Sequence, residues 1–129
     1  MATRHRKQPN ILKPLEELLD RLVNDTTTFP KLYKFNIGDK IINICLEMLS
    51  TVYQINRAET PEAKIGLIET FEDHLDMAKM LIRFANEKQF IPIKRQGRTA
   101  IVVEDITIQI TAWKNYITKQ ADGGKFAEG

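Results

Sequence analysis

At 129 residues the chain is long enough for one domain with a single core and too short for two. Hydrophobic residues make up 43% of it and charged residues 28%, a balance too apolar for a disordered chain. The formal net charge is only +2, so a polyanionic partner must be sought in how charge is distributed, not in its total.

The start of the chain is basic. Arg4, Arg6, Lys7 and Lys13 stand among the first 13 residues with no acid, which predicts a flexible solvated arm. It lacks the apolar segment of a signal peptide. A first helix is expected from about Pro14, because proline suits a first helical position. Leu15, Leu18, Leu19 and Leu22 follow at i, i+3, i+4, i+7. Thr26-Thr27-Thr28-Phe29-Pro30 ends that helix, and Lys31 to Phe35 reads as a connection. Asn36 is placed to cap a second helix, with Asp39 favouring its N-terminal dipole. Ile41, Ile44, Cys45, Met48, Leu49 and Val52 form its apolar stripe. Cys45 is the single cysteine, so no internal disulfide exists, and a buried reduced thiol suits the cytoplasm.

The third helix has the clearest start. Thr60 caps, Pro61 takes the first position and Glu62 follows. Ile65, Ile68, Leu75, Ile82 and Ala85 keep helical spacing to about Lys88, with Phe71 and Leu81 beside them. The last quarter carries two signals. Ile106-Thr107-Ile108-Gln109-Ile110-Thr111 alternates like a strand. Val102, Ile106, Ile110, Trp113 and Ile117 form a longer helical stripe, and a lone strand would have no partner. Helix is the better reading. The tail, residues 120–129, contains three glycines and is expected to be disordered. Four helices with short connections, spanning 14–119, predict an all-α antiparallel up-down bundle. No apolar stretch approaches the ~20 residues of a membrane span.

Catalytic signatures are absent. Gly66 and Gly97 are isolated, so there is no phosphate-binding glycine loop. His74, Asp73 and Asp76 crowd one segment but lack the i, i+4 pairing of helical metal ligands and read as a solvated acidic face. Ser50 has no neighbouring histidine. No catalytic residue, metal or cofactor is therefore expected.

Charge is segregated. Glu59, Glu62, Glu69, Glu72, Asp73 and Asp76 share residues 59–76 with only Lys64. Lys79, Arg83, Lys88, Lys94, Arg95 and Arg98 share residues 79–98 with only Glu87. Lys79/Arg83 and Lys94/Arg98 are like-charge i, i+4 pairs, each costing a few tenths of a kcal/mol on an exposed helix. The patch reads either as a solvated face or as a seat for a polyanion that would turn repulsion into binding. Tyr53, Phe71, Phe84, Phe90, Trp113 and Tyr116 are many large side chains for one bundle, and either an internal core or a subunit interface can own them.

These residues resemble a known family. Phe29-Pro30-Lys31-Leu32-Tyr33-Lys34-Phe35-Asn36-Ile37-Gly38-Asp39-Lys40-Ile41 is similar to the connection into helix 2 of the accessory variability determinant (Avd) proteins of diversity-generating retroelements. Leu81 to Ile91 resembles the end of that family's helix 3, and Trp113 matches a tryptophan near the end of its helix 4. The likeness covers roughly Leu15 to Tyr116. The wider superfamily includes four-helix-bundle proteins encoded in intervening sequences of ribosomal RNA genes. The resemblance implies a four-helix bundle assembling into a homopentameric barrel with a basic surface. It also implies a non-catalytic partner of a reverse transcriptase that binds RNA or DNA and supports mutagenic retrohoming. On that reading Lys79, Arg83, Lys88, Lys94, Arg95 and Arg98 would bind nucleic acid, helped by Arg4, Arg6 and Lys7. A self-associating structural bundle of the ribosomal type, with no nucleic-acid function, is the alternative.

Overall fold

A computed structural model describes residues 10–128, with side chains described for 10–123. Four long helices make up the fold: α1 (Leu12–Thr26), α2 (Asp39–Arg57), α3 (Pro61–Glu87) and α4 (Ile93–Glu128). Each packs against its neighbours in the chain, and α4 returns to α1. The result is an antiparallel four-helix bundle.

The core follows the stripes. Leu15, Leu18 and Leu22 of α1 are buried, as are Ile41, Ile44, Cys45, Met48 and Val52 of α2. Ile68, Phe71, Leu75, Ile82 and Ala85 of α3 join them. Val102, Ile106, Ile110, Trp113 and Ile117 of α4 are all buried, so the helical reading of the last quarter holds and the strand-like alternation is incidental. The outward half of that alternation, Ile108, is 58% exposed. Burial among aliphatic side chains pushes the Cys45 thiol up to about 12, so it stays protonated and unreactive at neutral pH.

The ends differ from expectation in instructive ways. The ordered bundle begins before Pro14: Ile11 is fully buried and α1 starts at Leu12. Pro14 therefore lies within the first turn, where its missing N–H costs nothing. The threonines end α1 by bonding backwards. Thr26, Thr27 and Thr28 donate their hydroxyls to the carbonyls of Val23, Asn24 and Asp25 at 3.2, 2.7 and 3.0 Å. Asn36 does not cap α2. Lys31–Tyr33 is helical and runs into a π-helical turn, Lys34–Gly38, which feeds α2 without a break. The backbone enters α2 already helical, so no new helix start arises there for Asn36 to cap; its Oδ1 accepts instead from the Ile37 N–H within the π-helical turn. Thr60 does cap α3, accepting from the Ala63 N–H at 3.1 Å. Lys64 reaches back from α3 and donates to the Ile55 carbonyl in the last turn of α2 at 2.7 Å. The last helix runs beyond residue 119, where the sequence reading placed a tail; Gly129 lies outside the described residues.

The turn between α3 and α4 is a Schellman motif. The Phe90 N–H donates to the Ala85 carbonyl and the Gln89 N–H to the Asn86 carbonyl, both at 2.9 Å. Its left-handed position is filled by Gln89, at φ 62°. A Cβ there costs about 1 kcal/mol that glycine avoids. Phe90 packs on Phe29 and Tyr33, with ring centroids 5.3 and 4.9 Å away, and so ties this turn to the α1–α2 connection. Gln89→Gly is accordingly expected to stabilise the fold by about 0.5–1 kcal/mol. A higher urea midpoint checks it, and an unchanged or lower midpoint contradicts it.

Candidate nucleic-acid interface

The six bases of residues 79–98 fall into three groups. Arg95 and Arg98 are engaged with α1. Asp25 is 2% exposed at its side chain and takes an ion pair from the Arg95 Nε. Arg98 makes a two-pronged contact with Glu17, its Nε and Nη2 donating at 2.8 and 2.9 Å. Arg21, on the same side of α1 as Asp25, donates to the Thr99 hydroxyl at 3.0 Å and to the Arg95 carbonyl at 2.9 Å. These contacts lash α1 to the first turns of α4.

Lys88 and Lys94 form the second group. Both are exposed beside the α3–α4 turn, with the Lys88 Nζ 5.7 Å from the centre of the Phe84 ring. Lys94 and Arg95 occupy the first turn of α4, which carries no acid. Cations there oppose the positive end of the helix dipole. Asp25 relieves Arg95 of that conflict, and nothing among the described residues does so for Lys94.

Lys79 and Arg83 are the third group. They line a groove between α3 and α4 of about 310 Å³. Lys79, Ile82, Arg83 and Asn86 supply one wall at i, i+3, i+4, i+7. Gln96, Thr99, Ala100 and Val103 repeat that spacing on the other, with Glu104 beside them. Neither Lys79 nor Arg83 pairs with a carboxylate among the described residues. The arm residues Arg4, Arg6 and Lys7 lie outside the described residues.

Reasoning from composition overlooked Glu17 and Asp25, which occupy two of the six bases, and Asn86, Gln96 and Thr99, which share the groove with two others. The matched i, i+3, i+4, i+7 spacing on either side of the turn was the available signal. Asp73, His74 and Met77 line a second groove, with Lys40, Asn43, Ile44 and Glu47 of α2. No group of three or more potential metal ligands gathers among the described residues.

The chain is thus an all-α antiparallel bundle whose connection and turn are locked by an aromatic cluster and which bears a basic groove between α3 and α4. The chain matches the bAvd-like family over residues 10–117 and belongs to it: a family of bacterial Avd proteins, accessories of diversity-generating retroelements. No curated protein matches the chain. No helix among the described residues is long and apolar enough to cross a membrane.

Arg95 and Arg98 should separate in stability. Removing Arg95 strands a buried carboxylate, so Arg95→Ala is expected to cost about 2 kcal/mol. Arg98 is 55% exposed, and Arg98→Ala should cost far less. Equal, small losses in urea unfolding would show that Asp25 finds another donor. The Arg98 hydrogen bond lowers the Glu17 pKa. That contribution is present above the ordinary carboxylate range, about 4.3, and is lost as pH falls through the depressed folded value. The stability gap between wild type and Arg98→Ala should therefore close in acid.

Proposed function

We propose that this protein is a non-catalytic accessory of a diversity-generating retroelement, binding template RNA or cDNA and the element's reverse transcriptase. The family match across residues 10–117 carries the reading. Cytoplasm is the compartment this role implies. The protein acts by holding macromolecules; no catalytic residue, metal or cofactor has a part in it.

Three observations support nucleic-acid binding. Lys79 and Arg83 have no carboxylate partner among the described residues. Lys88 and Lys94 are exposed close by in the chain, and Lys94 opposes the α4 dipole. A phosphate backbone would relieve each of these conflicts. Arg95 and Arg98 have a smaller share than their number suggests, because Asp25 and Glu17 already hold them. Arg4, Arg6 and Lys7 would add contacts from the arm.

Self-association completes the proposal, with five copies the expected number. Ile101 and Ile108 lie one heptad apart on α4 and are 60% and 58% exposed. Leu32, Phe35 and Ile93 are more exposed still. Side chains of this size, left in water by the single chain, supply the apolar contact an oligomer needs.

Two measurements test the proposal. Light scattering should give a mass of several chains, and a concentration-independent monomer would refute the assembly. Titration with single-stranded RNA should show affinity falling steeply between low and high salt. Lys79→Ala combined with Arg83→Ala should weaken it at least several-fold, with helicity and mass intact. Binding indifferent to salt and to both substitutions would leave a self-associating structural bundle as the better description.

A further inference from the structure

We infer that the α3–α4 groove is a pocket for one unstacked nucleotide of a single-stranded nucleic acid. Its phosphate would lie against Lys79 and Arg83, and its base between the two helices. The inference rests on the nucleic-acid reading above and deepens it, because binding through phosphates alone requires only surface charge.

The groove has the parts such a pocket requires. Its volume, about 310 Å³, is at the small end of the range for small-molecule sites, roughly 300–1,000 Å³. That admits one nucleotide and excludes a duplex. Ile82, Ala100 and Val103 give it an apolar lining, where a base face can leave water. Lys79 and Arg83 stand one helical turn apart on the same wall and outnumber Glu104, the one acid lining the groove.

Asn86 is the second, independent sign of a ligand. Its Oδ1 is buried on the groove wall with no hydrogen-bond partner in the chain. An unpaired buried acceptor costs about 1–3 kcal/mol. The Watson–Crick edge of every base carries at least one N–H that could satisfy it. Gln96 does not: its Nε2 donates to the Ile91 carbonyl at 2.9 Å and not to Asn86. The Thr99 hydroxyl donates to the Arg95 carbonyl at 3.2 Å while accepting from Arg21. Gln96 and Thr99 are thus engaged elsewhere, and the Asn86 oxygen, itself out of contact with solvent, meets a ligand when its side chain turns toward the groove.

The test uses the full-length protein and a short single-stranded RNA carrying one 2-aminopurine, with the same sequence as a duplex for comparison. 2-Aminopurine is quenched while stacked and brightens when it leaves the stack. The wild type should brighten the single strand. Ala100 is exposed, so Ala100→Leu fills the groove without entering the core. It should remove the brightening and weaken single-strand binding about tenfold, while duplex binding stays unchanged. Asn86→Ala should weaken single-strand binding several-fold and yet raise the melting temperature, because it deletes an unsatisfied acceptor. An Asn86 with a purely structural role would lower that temperature. Lys79→Ala with Arg83→Ala should weaken both forms of RNA. If Ala100→Leu binds and brightens the single strand as wild type does, the pocket is refuted while a basic phosphate-binding surface stands. If the double charge variant also binds as wild type, the nucleic-acid reading falls with it.

Discussion

One buried carboxylate organises the basic end of this bundle. Asp25 lies at the end of α1, almost wholly removed from water, and a charge there must be paired. Arg95 of α4 meets it, and Arg21 of α1 holds the same turn of α4 through the Arg95 carbonyl and the Thr99 hydroxyl. The seam joining the first helix to the last is thereby set at one register. Held at that register, α4 presents Gln96, Thr99 and Ala100 to Lys79, Arg83 and Asn86 of α3 across an open groove. The cations at the α1–α4 seam are paired, and those at the α3–α4 groove are not, among the described residues.

The opposite charge is handled in the same way. Lys114 of α4 places its Nζ 3.1 Å from Glu72 and 3.7 Å from Glu69, so α4 also quiets part of the acidic stretch of α3. Burial and hydrogen bonding at this site act against each other on Lys114, and the Glu72 hydrogen bond prevails, raising its pKa. Acids of α1 neutralise bases at the start of α4, and a base further along α4 neutralises acids of α3. Lys79 and Arg83 are left without a carboxylate partner among the described residues.

The architecture was legible because the apolar stripes are regular. All five α4 stripe residues are buried, and a two-residue period could not have reached Trp113 and Ile117 in phase. Thr60 was legible as a cap because threonine, proline and glutamate stand together in the sequence. Asn36 misled for a physical reason. A capping residue is needed only where a helix starts afresh, and here a π-helical turn carries the backbone directly into α2. The candidate site was half legible. The bases were evident by number, but their availability depends on Glu17 and Asp25, which are 81 and 70 residues away from their partners in the chain. Local spacing carries no information about such pairs. The Schellman turn was hidden similarly, since Gln89 occupies a position where glycine or asparagine would have announced it.

A net charge of +2 is a poor guide to what this molecule attracts. Arg83 is 14 residues beyond Glu69 on α3, about 21 Å along the axis at 1.5 Å per residue. Physiological salt screens charges over about 8 Å. A phosphate beside Arg83 is therefore largely shielded from Glu69 and from Glu62 beyond it, and its field comes from Lys79 and Arg83 with the nearer acids Asp76, Glu87 and Glu104 in opposition. Acids and bases that cancel in the total act on different ligands at different ends of the helix. In the proposed assembly each copy adds its own groove, and attraction for a long polyanion rises with the number of grooves one strand can occupy. Weak net charge and strong polyanion binding are compatible because the first is a sum over the whole molecule and the second a local field repeated.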